Sequence, residues 1–146
     1  MSNPSDNGQS DTSVKGYLID PYKAEVQPIT VPMDDYEEIQ RQLGCRTFTT
    51  GGYLENGDVL FVDDEGMLTG PTHFFRIKGL NDQPLAGRGV VLGSDGHGGS
   101  ADVKTSSEEI LSRVRWVYAM DKRGSVLFDV SAAARGQAAE TEVVVL

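Results

Sequence analysis

The chain has 146 residues, 38% of them apolar and 24% charged, enough for one modest core and a single domain. Its one cysteine, Cys45, excludes an intramolecular disulfide and a multi-thiolate metal site, and no run of about 18 apolar residues offers a membrane span. The net charge of −9 falls wholly in residues 1–65, which carry 13 acidic and 4 basic side chains, while residues 66–146 carry 9 of each; direct nucleic-acid binding, built on cations that neutralise phosphates, is not expected.

Residues 1–13 hold only Ser, Asn, Asp, Gly, Gln, Pro and Thr after the initiator, too little apolar surface to offset the entropy of ordering, and read as a disordered tail. Val14–Asp20 is a short β-branched and aromatic run stopped by Pro21, and Ala24–Val31 alternates polar with apolar residues; the two read as a hairpin. Pro28 lacks a backbone donor and puts the second strand on an edge or at a bulge. Asp35–Gly44 reads as a helix, with Asp34 and Glu37 at capping-box spacing, Gly44 as its stop, and Tyr36, Ile39 and Leu43 on the face turned to the sheet.

Cys45–Thr50 reads as the next strand, broken by Gly51-Gly52. Val59–Val62 follows, entered by the Asn56-Gly57 turn and left by Asp63-Asp64-Glu65-Gly66. Phe74–Ile77 and Val90–Leu92 complete an α+β fold with a mainly antiparallel sheet of about five or six strands. Adjacent Phe74 and Phe75 must point to opposite faces, one of them covered by a second helix. That helix is predicted over Ser107–Val117, with Ser106 and Glu109 at capping-box spacing and Ile110, Val114 and Val117 on one stripe. Ser125–Val130 reads as a late strand, closing a single domain over 14–130, and 131–146 as a flexible tail whose apolar Val143–Leu146 would be a sticky edge unless paired.

The chemistry-bearing residues are sparse. Asp63, Asp64 and Glu65 lack the spacing of a calcium loop and read as a plain turn. Cys45 reads as a packed structural thiol. His73 and His97 have no companion at metal-ligand spacing, although either imidazole, with Asp63 or Asp95, is the only base an enzyme reading has. Ser94–Ser100 reads first as a solvent loop and second as an anion clamp made of backbone amides. Gly87-Arg88-Gly89 reads either as a turn closed by an exposed arginine or as a close-approach site where Arg88 grips phosphate or carboxylate with two N–H groups. Phosphate-binding, dinucleotide and nucleophile-elbow signatures are absent, so no catalytic residue and no cofactor or metal is assigned.

The hairpin, the capped helix ending at Leu43-Gly44, the segment Asn56-Gly57-Asp58-Val59-Leu60-Phe61-Val62-Asp63-Asp64-Glu65-Gly66-Met67-Leu68, and Pro84-Leu85-Ala86-Gly87 leading into Gly89-Val90-Val91-Leu92-Gly93 together resemble the 3846 family of domains of unknown function, small proteins of phages, plasmids and bacteria. The resemblance covers about residues 15–95. It implies a mobile-element setting, where small accessory proteins often counter host defence; it carries no catalytic residue.

The resulting expectation is a non-enzymatic, cytoplasmic binding protein that inhibits a host defence protein through an acidic surface of Asp34, Asp35, Glu37, Glu38, Asp63, Asp64 and Glu65. The alternative is a homo-oligomeric sponge that traps a nucleotide signal between subunits, in a pocket of Arg88, Ser94, His97, Arg113 and Arg115.

Overall fold

The structure, a computed structural model, describes residues 13–66, 73–80, 84–120 and 140–145. Strands β1 (Ser13–Asp20) and β2 (Glu25–Pro32) form the expected hairpin, in unbroken antiparallel register from Ser13 opposite Pro32 to Asp20 opposite Glu25. Helix α1 (Tyr36–Leu43) leads to β3 (Phe48–Tyr53) and β4 (Val59–Asp63), then β5 (His73–Ile77), β6 (Leu85–Ala86), β7 (Gly89–Ser94) and β8 (Ser100–Ala101). Helix α2 (Ser107–Arg113) runs into β9 (Val114–Met120), and β10 (Glu140–Val145) follows.

Six strands build the main sheet in the order β2-β1-β7-β4-β3, with β8 paired to β7. β2 is an edge strand, as its missing Pro28 donor requires. β1 and β7 lie inside, and their nearly unbroken apolar runs follow from burial on both faces. Val14 and Leu18 of β1 with Val90 and Leu92 of β7 pack under Ile39 and Leu43 of α1. Tyr17 and Ile19 of β1, Leu60 and Val62 of β4 and Val91 of β7 face the other way. They meet Phe75 and Ile77 of β5, Val114 and Trp116 of β9, and Ile110 of α2. The layers are therefore helix, sheet, sheet. Gly89 is required by this packing: a Cβ there would come within 2.5 Å of the Phe75 ring and 2.9 Å of Leu60.

A second, four-stranded sheet, β10-β9-β5-β6, was not legible in the sequence. The helix expected to reach Val117 ends at Arg113, because Val114-Arg115-Trp116-Val117-Tyr118 is β-branched and aromatic and pairs antiparallel with β5. Val114 and Val117 satisfied a helical stripe by coincidence. In the strand they point to opposite faces, Val114 into the sandwich and Val117 toward Phe74 and Ala86. Phe74 and Phe75 do point oppositely, but the second sheet itself separates their environments. β10 pairs in parallel with β9, from Glu140 opposite Arg115 to Val145 opposite Met120. Part of the segment read as a flexible tail is thus a strand, and its apolar run has the partner it needed. The strand read at Ser125–Val130, the rest of that tail and residues 1–12 lie outside the described residues.

Two further boundaries moved. β3 begins at Phe48 rather than Cys45, and Gly51-Gly52 lies inside it, at a register shift between Thr50 and Gly52. The cap of α1 is Asp35, whose Oδ1 accepts from the Glu38 amide at 3.0 Å, one residue later than the Asp34–Glu37 reading. Asp34 instead takes a left-handed φ of 58° and accepts from the Ser100 amide at 3.1 Å, tying the α1 entrance to β8.

Candidate functional site

Three polar regions stand out, and they occupy different parts of the molecule. The first surrounds α1. Ile39 and Leu43 bury the apolar face of this helix, but Tyr36, expected beside them, is 59% exposed. Its ring rests 6.0 Å from Phe48, which meets Phe61 edge-on at 5.4 Å. Met33 is also exposed. Among the seven carboxylates expected to bind a partner, five have internal work. Asp35 caps α1, Asp34 holds Ser100, and Glu38 pairs with Arg41 and accepts from Gln42. Asp63 accepts from the Glu65 amide at 2.8 Å, and Glu65 pairs with Arg46 at 3.1 Å. The carboxylates of Glu37 and Asp64 are exposed and have no such bond among the described residues. A shallow cleft of about 610 Å³ runs along this flank past Glu37, Gly44, Cys45 and Arg46. Burial first, and Asp63 second, raise the Cys45 thiol above its ordinary range, which fits a packed thiol rather than a nucleophile.

The second region is the corner where β1 ends and β7 begins. Asp20 is 3% exposed. Its carboxylate accepts from the Tyr22 amide at 3.0 Å and from Arg88 Nε at 3.3 Å. The Arg88 guanidinium carbon lies 4.9 Å from the Tyr22 ring centroid, and His73 packs on the same ring with centroids 4.8 Å apart. Burial lowers the proton affinity of His73, an effect that Asp20 partly offsets. Asp20 and Tyr22 are the residues that sequence reasoning missed here. Asp20 is 68 positions from Arg88, and nothing local signals the pair.

The third region is the β7–β8 loop with its neighbours. Asp95 Oδ1 accepts from the amides of His97 at 2.6 Å and Gly99 at 2.9 Å, and those bonds hold its carboxyl below the ordinary range. Ser94 Oγ accepts from the Gly96 amide. The amides of Gly96, His97 and Gly99 are therefore filled by the loop's own side chains and that of Ser100 by Asp34, and His97 faces solvent.

The cations of the pocket reading are not gathered within one protomer. Arg88 precedes β7 and Ser94 ends it, a separation of about 20 Å along a strand of this length. Arg113 pairs with Glu55 at 2.9 Å and with Glu109 at 3.1 Å. Arg115 lies on β9 opposite Arg76. A second cleft, of about 600 Å³ between the β1–β2 hairpin and residues 102–106, is lined by none of these residues. For the enzyme reading, the carboxylate that acts on His73 is Asp20, not Asp63 or Asp95. The described residues contain no group of three or more His, Cys, Asp or Glu able to hold a metal ion, and no helix among them is long and apolar enough to cross a membrane.

Comparison with protein families matches residues 14–114 to a domain of unknown function, DUF3846. The match runs through the Gly-rich loop and α2, further than the 15–95 over which the resemblance was legible. No curated protein and no solved structure matches the chain.

Proposed function

The chain belongs to the DUF3846 family, and we propose that it is a non-catalytic binding protein of phage or plasmid type that inhibits a host defence protein by docking through the α1 flank. The observation that carries this reading is Tyr36, which stands at the N-terminal end of the apolar stripe of α1 and is 59% exposed although Ile39 and Leu43 of the same stripe are buried. An aromatic side chain presented beside uncommitted carboxylates suits a protein interface, where aromatic anchors supply the energy and surrounding charges supply orientation and encounter rate. Glu37 and the exposed Met33 flank Tyr36 along the chain, Asp64 follows the strand paired with that of Phe48, on which the Tyr36 ring rests, and the adjoining shallow cleft gives a partner side chain somewhere to sit. The acidic sign calls for a basic docking surface, such as that of a protein which itself handles nucleic acid.

The test is capture on immobilised chain, comparing wild type with a Tyr36→Ala, Glu37→Lys, Asp64→Lys variant. None of these three side chains is buried or makes a hydrogen bond or ion pair among the described residues, so the variant should stay folded, its melting point lowered only modestly by the lost Tyr36–Phe48 ring contact and by a cation in the first turn of α1. A basic host protein retained by wild type and released between about 0.05 and 0.5 M salt, where screening shortens from beyond 10 Å to a few ångströms, should be missing from the variant. Equal retention by both proteins rejects the α1 flank as the docking surface.

A further inference from the structure

We propose that Arg88 and the Tyr22 hydroxyl form a binding site for a phosphate group. This inference is independent of the docking reading, because no acidic residue of α1 takes part in it.

Arginine carries five N–H donors. In Arg88 the Nε donor is taken by Asp20, while the two terminal nitrogens have no hydrogen-bond partner among the described residues, and the side chain is 35% exposed. The buried carboxylate thus holds the guanidinium by its inner edge, and the Tyr22 ring lies against it with its centroid 4.9 Å from the guanidinium carbon. Such an arginine is oriented before any ligand arrives, so little side-chain freedom remains to be lost on binding. Tyr22 is fixed in turn by its amide bond to Asp20 and by the His73 ring, yet it is 47% exposed and its hydroxyl has no partner among the described residues.

Two glycines keep the approach open. A Cβ on Gly44 would lie 3.3 Å from Arg88 Nη1, and one on Gly87 would lie 3.9 Å from the Tyr22 hydroxyl oxygen. Both take left-handed φ values, 71° and 77°, that disfavour any side chain.

The donor arrangement selects the ligand. The terminal guanidinium nitrogens offer a two-donor fork in one plane, and the hydroxyl of Tyr22, whose ring centroid is 4.9 Å from the guanidinium carbon, is a third donor carried on a separate side chain. A flat carboxylate can meet the two in-plane donors. A tetrahedral phosphate can meet both and still turn a third oxygen toward the hydroxyl. Lysine in place of Arg88 would keep the charge and the ion pair with Asp20 but lose the fork.

The experiment is a titration of the isotope-labelled full chain with inorganic phosphate, adenosine monophosphate and acetate, following the backbone amides of Gly44, Gly87, Arg88 and Gly89 by NMR. Saturable shifts at these amides are expected with both phosphate compounds, at least about tenfold tighter than with acetate, a difference of about 1.4 kcal/mol. Tighter binding of the nucleotide than of inorganic phosphate would identify a nucleotide as the source of the group, and equal binding would identify phosphate alone. Arg88→Lys should abolish the response while keeping the spectrum of a folded chain, and Tyr22→Phe should weaken phosphate more than acetate. Absence of saturable shifts, equal affinity for acetate, or an unchanged response in Arg88→Lys would overturn the proposal. A loss of docking in the α1 variant has no bearing on these outcomes.

Discussion

Asp58 has no accessible surface, and its carboxylate accepts from the amides of Lys104 and Thr105 and from the Thr105 hydroxyl at 2.6 Å. Tyr17 donates to the Thr105 carbonyl, and Asn56 to the Thr105 hydroxyl, so this one carboxylate locks the β3–β4 turn to the segment that launches α2. Asp58→Ala strands two buried donors of Thr105 and the half-buried amide of Lys104 and should cost about 3 kcal/mol, read as a lower midpoint in urea unfolding. His73 gives a second test at this scale. Burial lowers its folded pKa, so as pH falls the unfolded chain takes up the proton first. Stability linked to neutral His73 is therefore complete above about pH 6.5 and declines as pH drops below it, until the folded imidazole also protonates. The difference in urea midpoint between wild type and His73→Gln should accordingly narrow or reverse between pH 7 and pH 5, a window set by that ordinary value of about 6.5. Neither role was visible in the sequence. Asp58 stood after the Asn56-Gly57 turn with no role of its own and His73 read only as a candidate base, because Thr105 and Asp20 reach them from 47 and 53 positions away.

Among the elements, legibility followed how local the cause was. The hairpin, the α1 stop at Gly44 and the buried β7 are written in turn residues and apolar period, and they stand where they were expected. The α2–β9 junction failed because Val114 and Val117 satisfy a helical stripe as well as a strand, and the decision came from pairing with β5, a long-range event. Parallel β10 is equally non-local, since a parallel partner needs a long connection that leaves no turn signature. The α1 cap moved by one residue for a physical reason: Asp34 is pulled into a left-handed conformation by Ser100, and Asp35 becomes the side chain that meets an orphan amide. Asp35→Ala should therefore cost about 1 kcal/mol, and Asp34→Ala should act on the β8 attachment instead of on the helix. Hydrogen exchange at the Glu38 amide separates the two, with faster exchange expected in the Asp35 variant.

At the scale of the whole molecule, the charge imbalance read from composition becomes a located feature. Most of the expected acidic residues are spent on caps, turns and ion pairs; of the two uncommitted ones Glu37 follows Tyr36 on α1 and Asp64 follows β4. Within one chain the arginines hold separate parts of the fold, with Arg88 at one end of β7 and Arg113 clamped by Glu55 and Glu109. Composition cannot distinguish these cases, since it counts charges without saying which are neutralised by neighbours. The most direct measurement uses bacterial strains that each carry one defence system, producing either the wild-type chain or the Tyr36→Ala, Glu37→Lys, Asp64→Lys variant at equal levels, and scores phage plating. Wild type should restore plating on at least one strain where the variant does not. Restoration by the variant as fully as by wild type, or rescue of no strain by either, would contradict docking through the α1 flank as the means of countering defence.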